Sequence, residues 1–306
     1  MRSGFQCTPA AVVKWFAAQL LDESVGAQAK TGHWTDSAKQ AFTQHWPEYM
    51  IEALCLGTFM ISACAFSALL EHPASPVRTS VMNAEVRRFL AGLAMGTTAI
   101  LLIYSPLGQR SGAHMNPATT LTFYRLGKVE RWDAILYMLS QFAGALLGAW
   151  LAFAVLGAAL AHREVNFAIT HPGMRGEAVA FVSELFIAFL LMTVILIVSN
   201  SRKAARYTGL AAGTMVMLFI TFEAPLSGMS MNPARTFASD FVGMQWQGLW
   251  IYFAGPVIGM LSAAEVFVRT RGPRSVICAK LNHSGTARCI FHCGYMTQEA
   301  ISAPTK

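Results

Sequence analysis

The tripeptide Asn-Pro-Ala occurs twice in this chain, at Asn116-Pro117-Ala118 and at Asn232-Pro233-Ala234. Each copy lies inside a longer matching stretch, "SGAHMNPATT" at 111–120 and "SGMSMNPART" at 227–236. Proline suits the first turn of a helix, because its fixed φ fits and its missing N–H would lack an intrahelical partner there. Asparagine is among the best caps for that turn. Each motif therefore predicts a short helix starting at its proline. Two such helices meeting N-terminus to N-terminus set two positive dipole ends at one point. Their asparagine amides can then donate to a passing oxygen, while a cation is repelled. Half-helix dipoles with a nearby Arg are a recognised means of excluding protons and cations. A single Asn-Pro-Ala reads as an ordinary helix cap; the matched pair is what points to a site.

A second group with chemistry lies near the C-terminus, in "CAKLNHSGTARCIFHCGY". Cys278, His283, Cys289, His292 and Cys293 fall within sixteen residues, a ligand density that could hold a zinc ion. The spacing fits no standard Cys-x-x-Cys template. The alternative is a reduced, basic tail with incidental cysteines. Cys55 and Cys64, inside an apolar run, read as packing residues.

The elements that must position the paired motifs follow from composition. Of 306 residues, 54% are hydrophobic and only 13% charged. Six segments are apolar enough to span a bilayer, at 49–70, 89–107, 134–158, 178–199, 207–225 and 247–268. The net charge of +7 calls for no nucleic-acid partner, because basic residues collect on one side of a membrane protein. Arg110, Arg125, Lys128 and Arg131 fall in the 2–3 connection, Arg202, Lys203 and Arg206 in the 4–5 connection, and Arg269, Arg271, Arg274 and Lys280 after the last span. That pattern predicts both termini in the cytoplasm and an integral protein of the plasma (inner) membrane. The stretch "AAVVKWFAAQLL" at 10–21 is too short to span and lacks a convincing cleavage site; it suits at most a surface-lying helix. Residues 1–46 read as a loosely ordered extension, 47–270 as the membrane domain and 271–306 as a cytoplasmic tail.

The repeat extends beyond the decapeptides. "GLAMGTT" at 92–98 precedes the first copy and "GLAAGTM" at 209–215 the second, each placing Gly-xxx-Gly in a span. The closing spans hold "QFAGALLGA" (141–149) and "YFAGPVIGM" (252–260), and the leading spans carry Glu52 and Glu184. The chain thus divides into 47–160 and 176–270, three spans each. An odd number per half inverts the second copy relative to the first. The fold class expected is an all-α membrane protein: six transmembrane helices and two re-entrant half-helices in an inverted 3+3 repeat.

On these residues the chain resembles the major intrinsic protein family, the aquaporins and glycerol facilitators, over about residues 48–270. The resemblance implies a passive channel for water and other small uncharged solutes, with the lipid bilayer as surroundings, no cofactor, no enzymatic activity and a homotetrameric assembly. It implies a selectivity filter of Met95, Ile220, Met229 and Arg235, in which the usual aromatic and His of strict water channels are replaced by Met95 and Ile220. It assigns Glu52 and Glu184 to bracing the half-helix loops, with proton coupling as the other use of such carboxylates. His114 is expected in the cytoplasmic vestibule. The aromatic pair of glycerol facilitators is missing, Thr236 stands where they usually place Asp, and Tyr252-Phe253 resembles the pair of water channels. The alternatives are a glycerol or metalloid (arsenite-type) facilitator and, in another class, a coupled secondary transporter.

Overall fold

A computed structural model describes residues 38–283 and 287–295; the 10–21 stretch lies outside the described residues. In chain order the main helices are α1 (Ala38–Glu71), α2 (Ala84–Tyr104), the short α3 (Pro117–Arg125), α4 (Arg131–Leu156), α5 (Glu177–Ser199), α6 (Thr208–Phe222), the short α7 (Pro233–Gly243) and α8 (Leu249–Arg271). The six long elements have the length and apolarity to cross a membrane. Among the described residues there are no strands. Helix α1 begins upstream of the expected boundary at residue 46 and continues through Pro47. Its first turns are anchored on α4, where Asp133 accepts from the Tyr49 hydroxyl and sits 2.8 Å from Nδ1 of His45.

Within each half the first and last long helices pack together, α1 on α4 and α5 on α8, while α2 packs on α6 across the halves. Missing side chains set these separations. A Cβ on Gly144 would lie 2.1 Å from the Ala53 carbonyl oxygen, and one on Gly148 2.3 Å from that of Gly57. On the other side a Cβ on Gly259 would lie 2.3 Å from the Leu185 oxygen. Between the halves, Gly96 and Gly213 each approach the other's carbonyl so closely that a Cβ would stand 2.6 Å away. In a bilayer such seams are held by close van der Waals packing, since lipid offers no hydrophobic drive for helix association. The Gly-xxx-Gly runs are thus the contact lines of the bundle.

The half-helices α3 and α7 pack on the long helices of the opposite half, α8 and α4 respectively. Each is entered by the same left-handed turn. Gly112, Ala113 and Met115 have φ of 96°, 54° and 48°, and Gly228, Met229 and Met231 have 81°, 55° and 54°. Non-glycine residues adopt this region at a cost, so something must hold them there.

After α8 the chain turns back over the basic end of the bundle. Val276, Cys278, Ala279, Leu281 and Phe291 are buried. Leu281 N–H donates to the Gly112 carbonyl (3.1 Å), His292 N–H to that of Lys128 (3.0 Å), and the Tyr295 hydroxyl to that of Ser199 (2.9 Å). The described part of the tail is a packed cover.

Candidate functional site

The two half-helices are tied to each other by their own caps. Asn116 Oδ1 accepts from the Ala118 N–H (2.9 Å), and its Nδ2 donates to the Met231 carbonyl of the other half (2.6 Å). Asn232 mirrors this: Oδ1 accepts from the Ala234 and Arg235 N–H groups (3.1 and 3.3 Å), and Nδ2 donates to the Met115 carbonyl (2.7 Å). An amide NH₂ carries two hydrogens. One on each asparagine is spent on the cross-tie, leaving one for a molecule in the lumen.

Buried carboxylates hold the left-handed turns. Glu52 Oε1 accepts from the Ser111 hydroxyl (2.8 Å) and His114 N–H (3.1 Å), and Oε2 accepts from Met115 N–H (2.7 Å) and Gln141 Nε2 (2.9 Å). Glu184 Oε1 accepts from the Ser227 hydroxyl (2.8 Å) and Ser230 N–H (2.7 Å), and Oε2 from Met231 N–H (2.7 Å). A tyrosine hydroxyl finishes each turn, Tyr137 donating to the Ser111 carbonyl (2.8 Å) and Tyr252 to that of Ser227 (2.6 Å). Charge-assisted bonds of this kind are about twice as strong as neutral ones, which accounts for the persistence of the strained residues. Ser111, Ser227, Tyr137 and Gln141 were not singled out from sequence. The two serines had a signal, because both stand in the repeated decapeptides.

A cavity of about 120 Å³ runs past the cross-tie. It is lined by Asn116 and Asn232, by all four expected filter positions, Met95, Ile220, Met229 and Arg235, and by His114. The wall is mostly apolar. Arg235 is half-buried and lines this cavity; its Nη1 is buried with no hydrogen-bond acceptor among the described residues, and a buried unpaired donor costs free energy.

His114 lies at the basic end of this cavity, where the tail covers it. Its Nε2 is 2.9 Å from the Ala279 carbonyl, a donor contact that fixes the proton there, and Nδ1 is 3.0 Å from the Thr120 hydroxyl. The ring is stacked between Phe123 (5.2 Å) and Phe291 of the tail (5.3 Å). The expected open vestibule is therefore a capped one, and Leu281 of the tail is part of the cavity wall.

Of the five candidate tail ligands, four meet. Cys278, His283, Cys289 and Cys293 bring their ligand atoms within 4.8 Å of one another. His292 leaves the group: its Nε2 stands 3.3 Å from Glu130. Burial pushes its pKa down to about 4. The reason is steric direction, since its backbone N–H is fixed to Lys128 and its side chain turns toward the loop after α3.

Six long apolar helices around two capped half-helices define an integral membrane protein with a lumen at the meeting point. A model of the major intrinsic protein family matches residues 39–267, and the chain belongs to that family. It is 37% identical over 199 residues to Aquaporin NIP2-3 of Zea mays, covering 65% of this chain and 64% of that protein. It is 36% identical over 188 residues to Aquaporin NIP1-2 of Arabidopsis thaliana, covering 60% and 63%. The matched region thus spans less than two thirds of those relatives' own length. The fold also matches the X-ray structure of the aquaglyceroporin from Plasmodium falciparum, with a TM-score of 0.60 and 18% identity over 76% of this chain and 98% of that one.

Proposed function

We propose that this protein is a passive channel for water and other small neutral solutes, with Asn116, Asn232 and Arg235 as its polar contacts in the lumen. The observation that carries this is the pairing of reciprocally tied asparagines with Arg235 in the lining of one mostly apolar cavity. Two helix N-termini and a guanidinium at a constriction repel cations, while each amide and guanidinium N–H can donate to the oxygen of water. Met95, Ile220, Met229 and Arg235 form the filter. Its three apolar side chains supply no second strong donor, so discrimination there is by width.

A coupled transporter needs free ion-binding groups at the midplane. Glu52 and Glu184 instead accept four and three hydrogen bonds from the loops they brace, which favours the bracing role. The basic residues of the 2–3 and 4–5 connections and of the tail orient the chain with both termini in the cytoplasm, in the plasma (inner) membrane. Exposed apolar side chains such as Leu54, Leu147, Val182 and Phe186 suit lipid and subunit contacts in a homotetramer. The apolar filter supports a second reading, a glycerol or metalloid facilitator.

Because the tail covers one mouth, the test uses Leu281→Asp, which unseats it, beside the wild-type chain in liposomes. Shrinking is followed by light scattering after shocks of impermeant sugar and of glycerol. Water flow well above that of bare lipid is the expected result, with proton leak appearing when Asn232→Ala and Arg235→Ala are added. Glycerol re-entry at a comparable rate would select the facilitator reading. Flow at the lipid level from Leu281→Asp would contradict both.

A further inference from the structure

The tail cluster is built from two passes of chain. Cys278 and His283 lie on the outgoing pass, Cys289 and Cys293 on the return. Cys278 Sγ is 3.6 Å from Cys289 Sγ, and Cys293 Sγ is 3.0 Å from His283 Nε2. Ligands around a tetrahedral zinc ion, with Zn–S near 2.3 Å and Zn–N near 2.0 Å, stand about 3.5–3.8 Å apart. The four atoms, all within 4.8 Å of one another, are close to that tetrahedron. A disulfide would need two sulfurs at about 2.05 Å, and these cysteines are free thiols.

The donor set selects the ion. Three sulfurs and one imidazole nitrogen are a soft to borderline set suited to zinc, where magnesium and calcium require oxygen. The surroundings fit the same ion. The Lys280 backbone N–H points at Cys278 Sγ (3.5 Å), and the His283 ring is stacked on Tyr295 at 4.6 Å, which sets its orientation. Such outer contacts orient ligands in metal sites. Two lysines bind the return pass beside the cluster, Lys128 Nζ donating to the His292 carbonyl (3.4 Å) and Lys280 Nζ to that of Arg288 (2.6 Å).

The same two passes carry the residues that close the pore. Ala279 accepts from His114, Leu281 forms part of the cavity wall, and Phe291 stacks on His114. Lys280 Nζ bridges back to the Arg288 carbonyl (2.6 Å). Joining four ligands therefore closes a loop whose rigid edge is the cap over the mouth.

We propose that Cys278, His283, Cys289 and Cys293 bind one zinc ion, and that this ion pins the tail across the basic mouth so that its removal opens the channel. The gating half of this rests on the channel reading above; the metal half does not.

Two readouts separate them. The purified full chain should carry one zinc per chain. After metal removal, titration with Co²⁺ should give the thiolate-to-cobalt charge-transfer band and the intense visible bands of a tetrahedral site. Cys289→Ser/Cys293→Ser should lose both the zinc and the cobalt spectrum. No bound zinc and no cobalt bands in the full chain, or an unchanged spectrum in the double variant, would overturn the site. In liposomes the zinc-loaded chain should pass water no faster than bare lipid, and chelation should raise its flow to that of Leu281→Asp. Chelation that strips the zinc and leaves flow unchanged would overturn the lock. Lipid-level flow from both the chelated chain and Leu281→Asp would count against the channel reading instead, with the metal content still deciding the site.

Discussion

The two halves of the molecule use one backbone plan and diverge in side chains at matched positions. Left-handed residues recur in register, at 112, 113 and 115 and again at 228, 229 and 231. Glu52 and Glu184 hold the turns through the same two backbone N–H groups and the same serine hydroxyl. Against that background, three substitutions make the ends different. Where the first half has Thr119, whose hydroxyl points at Met260 Sδ (3.6 Å), the second has Arg235, which brings a guanidinium to the cavity lining. His114 takes the place of Ser230, yet each reaches the threonine six residues on, Thr120 or Thr236. Gln141 occupies the position of Tyr252 and gives Glu52 a fourth donor. The backbone must be symmetric for two half-helices to meet; the chemistry at each mouth is free to differ.

The largest expected effect comes from removing the braces. Glu52→Ala and Glu184→Ala each orphan at least two buried N–H donors, at about 1–3 kcal/mol apiece. Both should fall several kcal/mol in stability, and Glu52→Ala should fall further because Gln141 loses one of its two hydrogen-bond acceptors and keeps only Thr120. Thermal unfolding in detergent, followed by size-exclusion fluorescence, checks this. Equal losses would mean that the Gln141 bond contributes nothing.

The helix seams sharpen the comparison next. Gly144 and Gly255 correspond, but a Cβ on Gly144 meets the Ala53 carbonyl oxygen at 2.1 Å, whereas one on Gly255 meets only the Glu184 Cβ at 3.0 Å. Gly144→Ala should cost up to about 3 kcal/mol and Gly255→Ala much less. Equal shifts in melting temperature would break the assigned asymmetry of the seams. Gln141→Leu removes one hydrogen bond to a carboxylate and one to the Thr120 hydroxyl and should cost about 2–3 kcal/mol. Smallest are Tyr137→Phe and Tyr252→Phe, which each delete one hydroxyl bond to a serine carbonyl. They should cost about 1 kcal/mol and match each other; a clear difference would show that the two hydroxyls do different work.

Much of this architecture was legible because it is written locally and twice. Asparagine before proline dictates a cap, apolar length dictates a span, and the recurrence of both across two halves dictates the inversion. The filter positions could be reached only through the family resemblance and by counting along the repeat. The closure of the basic mouth left no such trace. It depends on Leu281, Phe291 and Ala279 meeting Gly112 and His114 across more than 150 positions of sequence, and their types follow no period. The tail cysteines were visible as ligands, but which four converge is decided by the backbone: His292 is turned away by its bond to Lys128. The helix begins at Ala38 rather than after residue 46, because the anchoring of Tyr49 and His45 on Asp133 is a tertiary contact that no local pattern announces.

The central claim is that the tied half-helices and Arg235 pass neutral molecules and refuse charge. Its most direct test is to measure water and proton flow together in liposomes containing the metal-stripped Leu281→Asp chain, by light scattering and an enclosed pH-sensitive dye. The account expects fast osmotic shrinking with the internal pH unmoved by an imposed proton gradient. Proton entry at a rate that follows that gradient, or shrinking no faster than bare lipid, would contradict it.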